Sequence, residues 1–254
     1  MLWVGTELSA IEQLSMRSFV ACGHDVELFT YGKVVGIPGG VRVRDANEVL
    51  PESRVFYYKR RRSVAAFANW FRYRMLYEQG GVWVDTDVIC LRRFDFDCRL
   101  FFGRQDFETI NNAVLGAEKG HPLFKWMANQ AEFPNRPLPY DTSRDRWRKW
   151  RRKYLQGNRQ GNVKWGEAGP LGLTRAIQHF ELQEFALPYT AFYPVHFQCW
   201  DAIFDSTYPS PEAFFPNSYA IHVWNEMIRS HANFDKNARF PSDSLIEALK
   251  RRYA

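Results

Sequence analysis

Two aspartates separated by one threonine, Asp85-Thr86-Asp87, interrupt the apolar run Val82-Trp83-Val84 and Val88-Ile89. An unpaired carboxylate is strongly disfavoured in such a run, so the pair needs a physical reason. The run predicts a strand, and a period of two sends both carboxylates to one face, a few ångströms apart. Like charges that close call for a cation, or for a proton on one of them. Hard oxygen ligands favour Mg²⁺ or Mn²⁺ over zinc, with water and substrate phosphates completing the shell. A solvated pair at a strand end fits the same letters. A second Asp-x-Asp, Asp95-Phe96-Asp97, follows Arg92-Arg93-Phe94 outside any strand pattern and reads as a solvated loop.

The elements that must position the first pair are legible upstream. Ser63 can cap a helix running to Gln79, with an apolar stripe of Val64, Ala68, Phe71 and Met75. Asn69 and Arg72 stand three apart on one face of it, beside that stripe. Lys59-Arg60-Arg61-Arg62 approaches the helix start with a charge that fails to offset its dipole. That tetrad is either an anion site suited to a diphosphate or a solvated basic turn. Gly80-Gly81 ends the helix. Earlier, Leu2-Trp3-Val4 reads as a short strand, Ala10 to Cys22 as a helix closed by Gly23, and Asp25 to Tyr31 as a strand. Val41 to Val43 is a further short strand. This alternation is the grammar of an α/β sheet with parallel strands. Past residue 95 the pattern loosens, and no linker rich in Gly, Ser or Pro divides the chain. The expectation is one α/β domain over 1–254, with a mixed, mainly parallel central sheet and an irregular C-terminal half.

Composition bounds the classes. The 254 residues are 46% apolar and 24% charged, which excludes wholesale disorder and collagen-like repeats. A net charge of +6 fits an anionic partner. The 21 Phe, 12 Tyr and 9 Trp suit a packed interior and flat stacking surfaces for sugar or base. No run reaches the roughly 18 apolar residues needed to cross a bilayer, and the N-terminus lacks the pattern of a secretory signal. Cys22, Cys90, Cys98 and Cys199 have neither C-x-x-C nor zinc spacing, which points to free thiols in the cytoplasm.

At Phe67-Ala68-Asn69-Trp70-Phe71-Arg72-Tyr73, Leu76-Tyr77, Gly80-Gly81 and Val82 to Asp87 the sequence resembles the DXD sugar-transferase family. That family includes initiating α-mannosyltransferases, α-1,4-galactosyltransferases, and bacterial capsule and lipopolysaccharide transferases. Sparser matches lie at Asn111-Asn112, Gly120-His121-Pro122, Gly169-Pro170 and His222-Val223-Trp224. The resemblance implies a GT-A-like fold, with a nucleotide-sugar half over 1–90 and an acceptor-side half over 91–254. It also implies Mn²⁺ or Mg²⁺ and a retaining transfer of a hexose from a nucleotide-diphosphate sugar to a glycan or lipid-linked glycan, with no dedicated carboxylate nucleophile. Carried over by position, Asp87 would bind the metal, and Asp85 would touch donor sugar or ribose and metal-bound water. Arg72 would approach the sugar or diphosphate, and Trp3 and Gly5 the base. His222 and Trp224 would close over the diphosphate, with His222 completing the metal shell. Asn69 stands where many relatives carry an acid; its amide can still hydrogen-bond a sugar hydroxyl.

Other features have two readings each. Asn111 and Asn112 either meet sugar hydroxyls, with Asn112 placed on the donor, or form an Asn-Asn turn. Glu167 and Gly169 sit at a loop expected on the acceptor side. Residues 144–154 hold seven cations and one acid, with Trp147, Trp150 and Tyr154 at helical spacing. This is a surface helix on anionic lipid at the inner face of the membrane, a cradle for a phosphorylated acceptor, or a helix packing its Trp stripe on the core. The function expected is a metal-dependent hexosyltransferase of surface polysaccharide or lipopolysaccharide synthesis, with no nucleic-acid partner. The rivals are a basic–aromatic nucleic-acid-binding module and a catalytically inactive sugar-binding relative.

Overall fold

A computed structural model describes residues 1–59, 63–96, 99–231 and 233–254. Along the chain lie β1 (Leu2–Trp3), α1 (Ala10–Ala21), β2 (Val26–Thr30), β3 (Val41–Asp45), α2 (Ala65–Gln79), β4 (Gly81–Val84) and β5 (Val88–Cys90). They continue with β6 (Leu100–Arg104), β7 (Ile110–Ala117), α3 (Pro122–Glu132), α4 (Ser143–Leu155), α5 (Pro170–His179) and β8 (Ala186–Leu187). Last come α6 (Pro211–Phe214), β9 (Ala220–His222), α7 (Asn225–Arg229) and α8 (Leu245–Arg252).

The architecture is α/β, as the alternation of strands and helices in the sequence predicts. Its parallel part is the N-terminal sheet β1-β2-β3. A second sheet, β4-β7-β6-β8, is antiparallel except for the β6–β8 edge, and β5 pairs antiparallel with β9. The mainly parallel sheet expected from the sequence therefore describes the first sheet and not the strands around Asp85 and Asp87. After Ala117 the only named strands among the described residues are β8 and β9, and short helices joined by turns fill the rest.

The predicted strand through Asp85 and Asp87 is corrected. β4 ends at Val84, Asp85-Thr86-Asp87 is a turn, and β5 starts at Val88 in a different sheet. A period of two does not operate across that break, so the turn itself brings the carboxylates together. The break is held on both sides: Asp85 N–H donates to the Ala113 carbonyl, 2.8 Å, and Val223 N–H donates to the Asp87 carbonyl, 2.8 Å. Helix α1 ties β5 in place through Ser15, whose hydroxyl donates to the Val88 carbonyl, and Ser18, whose hydroxyl accepts from Cys90 N–H, 2.8 Å.

Helix α2 is more deeply placed than one apolar stripe implies. Phe67, Trp70, Phe71, Tyr73, Met75 and Leu76 are buried together with Asn69 and Arg72, whereas Val64 and Ala68 are half-buried. The helix is covered by α3 on one side and by β4 and β7 on another, so nearly all its faces meet protein. Ser63 lies one residue further from the helix than a cap, its hydroxyl accepting from Ala65 N–H at 3.2 Å. Arg60, Arg61 and Arg62 of the basic tetrad, and Asp97 of the second Asp-x-Asp, lie outside the described residues. Two hydrophobic clusters form the core, and each joins early and late chain: Leu8 with Ile246 in one, Phe71 with Leu173 in the other.

The Gly80-Gly81 turn aims β4. Gly80 has φ 73° and ψ −160°, a region essentially reserved for glycine, and a Cβ there would lie 2.6 Å from the Lys119 backbone nitrogen. Gly81 has φ +87°, and its Cβ would meet nothing within 4 Å. Gly80→Ala is expected to cost about 2–5 kcal/mol, strain plus clash. Gly81→Ala should cost about 1–2 kcal/mol from strain alone. Chemical denaturation of the two variants checks this order.

Candidate functional site

Asp85, Asp87 and His222 each present one ligand atom, and these atoms lie within 4.8 Å of one another. Pairing Val88 with His222 across β5–β9 carries the imidazole to the turn. The Asp87 and His222 side chains are each 10% exposed, and Asp85 is 26% exposed, so the cluster opens to solvent through Asp85.

Each carboxylate has separate counter-partners. Arg72 grips Asp85 with two guanidinium nitrogens, 3.0 and 3.2 Å, and Trp83 Nε1–H donates to the same carboxylate at 2.7 Å. Arg72 also donates to the Asn112 carbonyl and lies 5.0 Å from the Trp83 ring centroid. These contacts make it a group that orients Asp85; the sequence reading sent it to the sugar or diphosphate. Burial pushes the Asp85 carboxyl up, Arg72 opposes that, and the neighbouring Asp87 charge adds to it. Asp87 moves the other way. Burial alone would raise it, but His222 at 3.2 Å and the Asn225 backbone N–H at 2.7 Å outweigh that and lower it to about 2. Such a split within one pair is typical of functional carboxylates.

Asn225 reaches Asp87 because Trp224 is left-handed, φ 62° and ψ 53°, which turns the chain back after β9. Trp224 is buried, its Nε1–H donates to the Val195 carbonyl at 2.9 Å, and its ring packs 4.1 Å from His222. It supports the imidazole, and its own polar atom is already used. Neither Asn225 nor Glu12 was singled out from the sequence. The buried Glu12 carboxylate accepts from the Asn225 amide at 2.9 Å and from Lys236 at 2.5 Å, fixing the segment after Trp224. Ser9-x-x-Glu12 at the head of α1 was the available signal, a helix-start pattern. Asn225 had none.

Asn69, Asn112 and Gly169 come together beside the cluster. Asn112 Nδ2 donates to Asn69 Oδ1, 2.8 Å, and to the Tyr73 hydroxyl, 3.1 Å, while Tyr73 donates to the Ala168 carbonyl, 3.1 Å. A Cβ on Gly169 would stand 3.0 Å from Asn69 Nδ2 and would push that amide back by a few tenths of an ångström. The Asn-Asn turn does not form. Both residues lie in β7 at a bulge, where Gly103 faces Asn111 but Phe102 faces Leu115. Asn111 instead donates to Gln105 at 2.8 Å and accepts from Ala113 N–H at 2.8 Å. Trp3 and Gly5 face each other further along, with a Gly5 Cβ 3.0 Å from Trp3 Nε1, a buried donor without a protein partner.

Glu167, expected at a loop on the acceptor side, is tied to its neighbours. Arg152 of α4 binds it with two nitrogens, 2.8 and 2.5 Å, and Lys164 N–H donates to it at 3.1 Å. A cavity of about 350 Å³ lies here, with Asp141, Asp145, Lys149, Glu167 and Arg175 in its lining; Asp85, Asp87 and His222 do not line it.

The site is an Asp-x-Asp turn joined by a histidine on a mixed α/β fold. Residues 25–111 match the family described as "Glycosyltransferase sugar-binding region containing DXD motif", and residues 158–253 match "Alpha 1,4-glycosyltransferase conserved region". Two separate stretches of the chain thus match glycosyltransferase models, the first of them the DXD-containing region. The chain is similar to the human alpha-1,4-N-acetylglucosaminyltransferase, 23% identical over 82% of this chain and 58% of that one. It is similar also to the mouse lactosylceramide 4-alpha-galactosyltransferase, 28% identical over 72% of this chain and 45% of that one. The chain thus spans about half the length of the curated relatives it matches. Among solved structures it is similar to the PaToxG glycosyltransferase, with 16% identity, TM-score 0.47, and 72% and 69% of the two chains covered.

Burial raises the Glu167 carboxyl, but Arg152 outweighs this and holds it below its ordinary 4.5. Its stabilising effect is therefore present above pH 4.5 and lost as pH falls through the lower folded value. Glu167→Gln should lower the melting temperature at neutral pH, with the gap from wild type narrowing in acid. Melting curves over pH 3–7 (roughly the carboxylate range) measure it.

Proposed function

We propose that the chain is a metal-dependent, retaining glycosyltransferase moving a hexose from a nucleotide-diphosphate sugar to a glycan or lipid-linked glycan. The observation carrying this reading is the meeting of Asp85, Asp87 and His222 within 4.8 Å at a solvent-reached turn. Two carboxylates and an imidazole suit Mn²⁺ or Mg²⁺, and His222 Nδ1 is buried without a protein partner. Asp87 and His222 would hold the ion, with Asp85 beside it. The relatives' names describe α-1,4 and 4-α transfers; a product of that configuration from an α-linked donor is retention.

A bound divalent ion acts as a Lewis acid toward the negative charge that develops on a departing diphosphate. The chain's own groups prepare that site. Asn225 N–H and His222 hold the Asp87 carboxyl below its ordinary range, so that oxygen is available to an incoming ion. Arg72 and Trp83 fix the Asp85 carboxylate toward the opening, where it accepts from donor hydroxyls or ordered water. Asn69 and Asn112 offer amides to sugar hydroxyls, and Gly169 leaves room for the ring. Trp3 supplies an unused indole N–H toward the base. The acceptor enters from the 91–254 half, and surface polysaccharide or lipopolysaccharide synthesis in the cytoplasm is the proposed setting. The described cysteines are free thiols, which suits a reducing compartment.

Screening UDP- and GDP-sugars for Mn²⁺-dependent hydrolysis and transfer tests the reading. Asp87→Ala should lower metal-dependent turnover roughly a thousandfold. It should also lose Mn²⁺ binding by titration calorimetry while keeping a cooperative melt. Near-normal metal-dependent transfer by that variant would overturn the assignment. Nucleotide diphosphate plus Mn²⁺ at about 100 times its dissociation constant should stabilise the wild type by roughly 2.7 kcal/mol, and EDTA should remove the gain.

A further inference from the structure

Helix α4 packs against the protein with its charges and turns its aromatic residues to solvent. On the inner side, Lys149 and Arg152 are each 4% exposed. Lys149 Nζ bonds Asp141 at 2.8 and 3.0 Å, and Arg152 grips Glu167. Asp145 closes the helix start with Thr142 and takes Arg175 at 3.3 Å. The opposite face carries Trp147, 58% exposed, Trp150, 51%, and Tyr154, 62%, with Leu155 at 67%. Of the three readings of this run, the one that packs the Trp stripe on the core does not hold. Four large apolar side chains exposed on one helix are unusual for a surface meeting only water.

We propose that this face of α4 is a docking surface for an anionic phospholipid bilayer, with Trp147, Trp150 and Tyr154 seated among the headgroups. Charge complementarity selects the occupant. Arg144, Arg146 and Lys153 are exposed around the aromatic stripe, and no acid shares that face, because Asp145 points inward. Each cation near a negatively charged leaflet adds attraction, and Trp and Tyr favour the interface itself. The ring faces argue against stacked bases. Arg151 lies over Trp147 at 5.0 Å and Lys153 over Tyr154 at 5.1 Å, so cations cover faces that nucleobases would need. No helix among the described residues is long and apolar enough to cross a membrane, so attachment through α4 is peripheral. The inference stands whether or not the transferase reading does.

Co-sedimentation with vesicles of phosphatidylcholine, with and without added phosphatidylglycerol, tests it on the whole chain. Wild type should pellet with the anionic vesicles only and be released by high salt. Trp147→Ser/Trp150→Ser/Tyr154→Ser should weaken binding at least about tenfold with an unchanged melt. Arg144→Ala/Arg146→Ala, which leaves the aromatics in place, should weaken it roughly thirtyfold. Equal pelleting with neutral and anionic vesicles would overturn the proposal. So would undiminished binding by both variants, or binding to single-stranded nucleic acid through these residues with none to vesicles.

Discussion

Two carboxylates held within a few ångströms repel each other, and most of the structure around Asp85 and Asp87 exists to offset that repulsion. The solution is asymmetric. Asp85 is matched by a full positive charge from α2, whereas Asp87 is matched by an imidazole and a backbone N–H from the segment after β9. Removing either set would leave an uncompensated charge against a hydrophobic core, the costly half of any buried pair. Arg72 can be buried in α2 only because Asp85 and the Asn112 carbonyl receive its donors. The left-handed Trp224 is tolerated because the backbone it redirects satisfies Asp87. Both carboxylates keep these partners while the opening through Asp85 remains, so the turn is preorganised for a cation.

The same constraint links regions distant in sequence. Glu12 in α1 holds Asn225, Asn225 holds Asp87, and β5 is fastened to α1 by Ser15 and Ser18. On the other side Tyr73, Asn112 and Asn69 connect α2 and β7 to the Ala168-Gly169 turn. That turn is anchored to α4 through Glu167 and Arg152. Helix α4 therefore spends its inner charges on positioning, and its aromatic residues are left outside. Composition cannot distinguish this from the ordinary orientation, because seven cations around an aromatic stripe fit either face inward. The inward choice depends on Asp141 and Glu167, partners contributed by neighbouring turns.

Much of the N-terminal half was legible. A helix to Gln79, the Gly-Gly stop and short strands at Leu2, Val26 and Val41 follow from periodicity and punctuation, which are local. Local information also identified Asp85 and Asp87 as chemically unusual, since each places a carboxylate where the pattern demands burial. Strand pairing was not legible. An apolar run from Val82 to Ile89 looks continuous by letter, but β4 and β5 hydrogen-bond to β7 and β9, about thirty and more than a hundred residues away.

Residue type and spacing along the chain sufficed to mark an Asp-x-Asp site preceded by a helix and a Gly-Gly stop, because burial preferences and turn chemistry act over a few neighbours. Folding in three dimensions settled which partner each charge received, that the motif is a turn, that His222 and Asn225 join it, and which side of α4 meets water. Those outcomes rest on contacts between segments far apart in the chain. Their free energies depend on distance and on exclusion of solvent, and neither quantity is written in the order of residues.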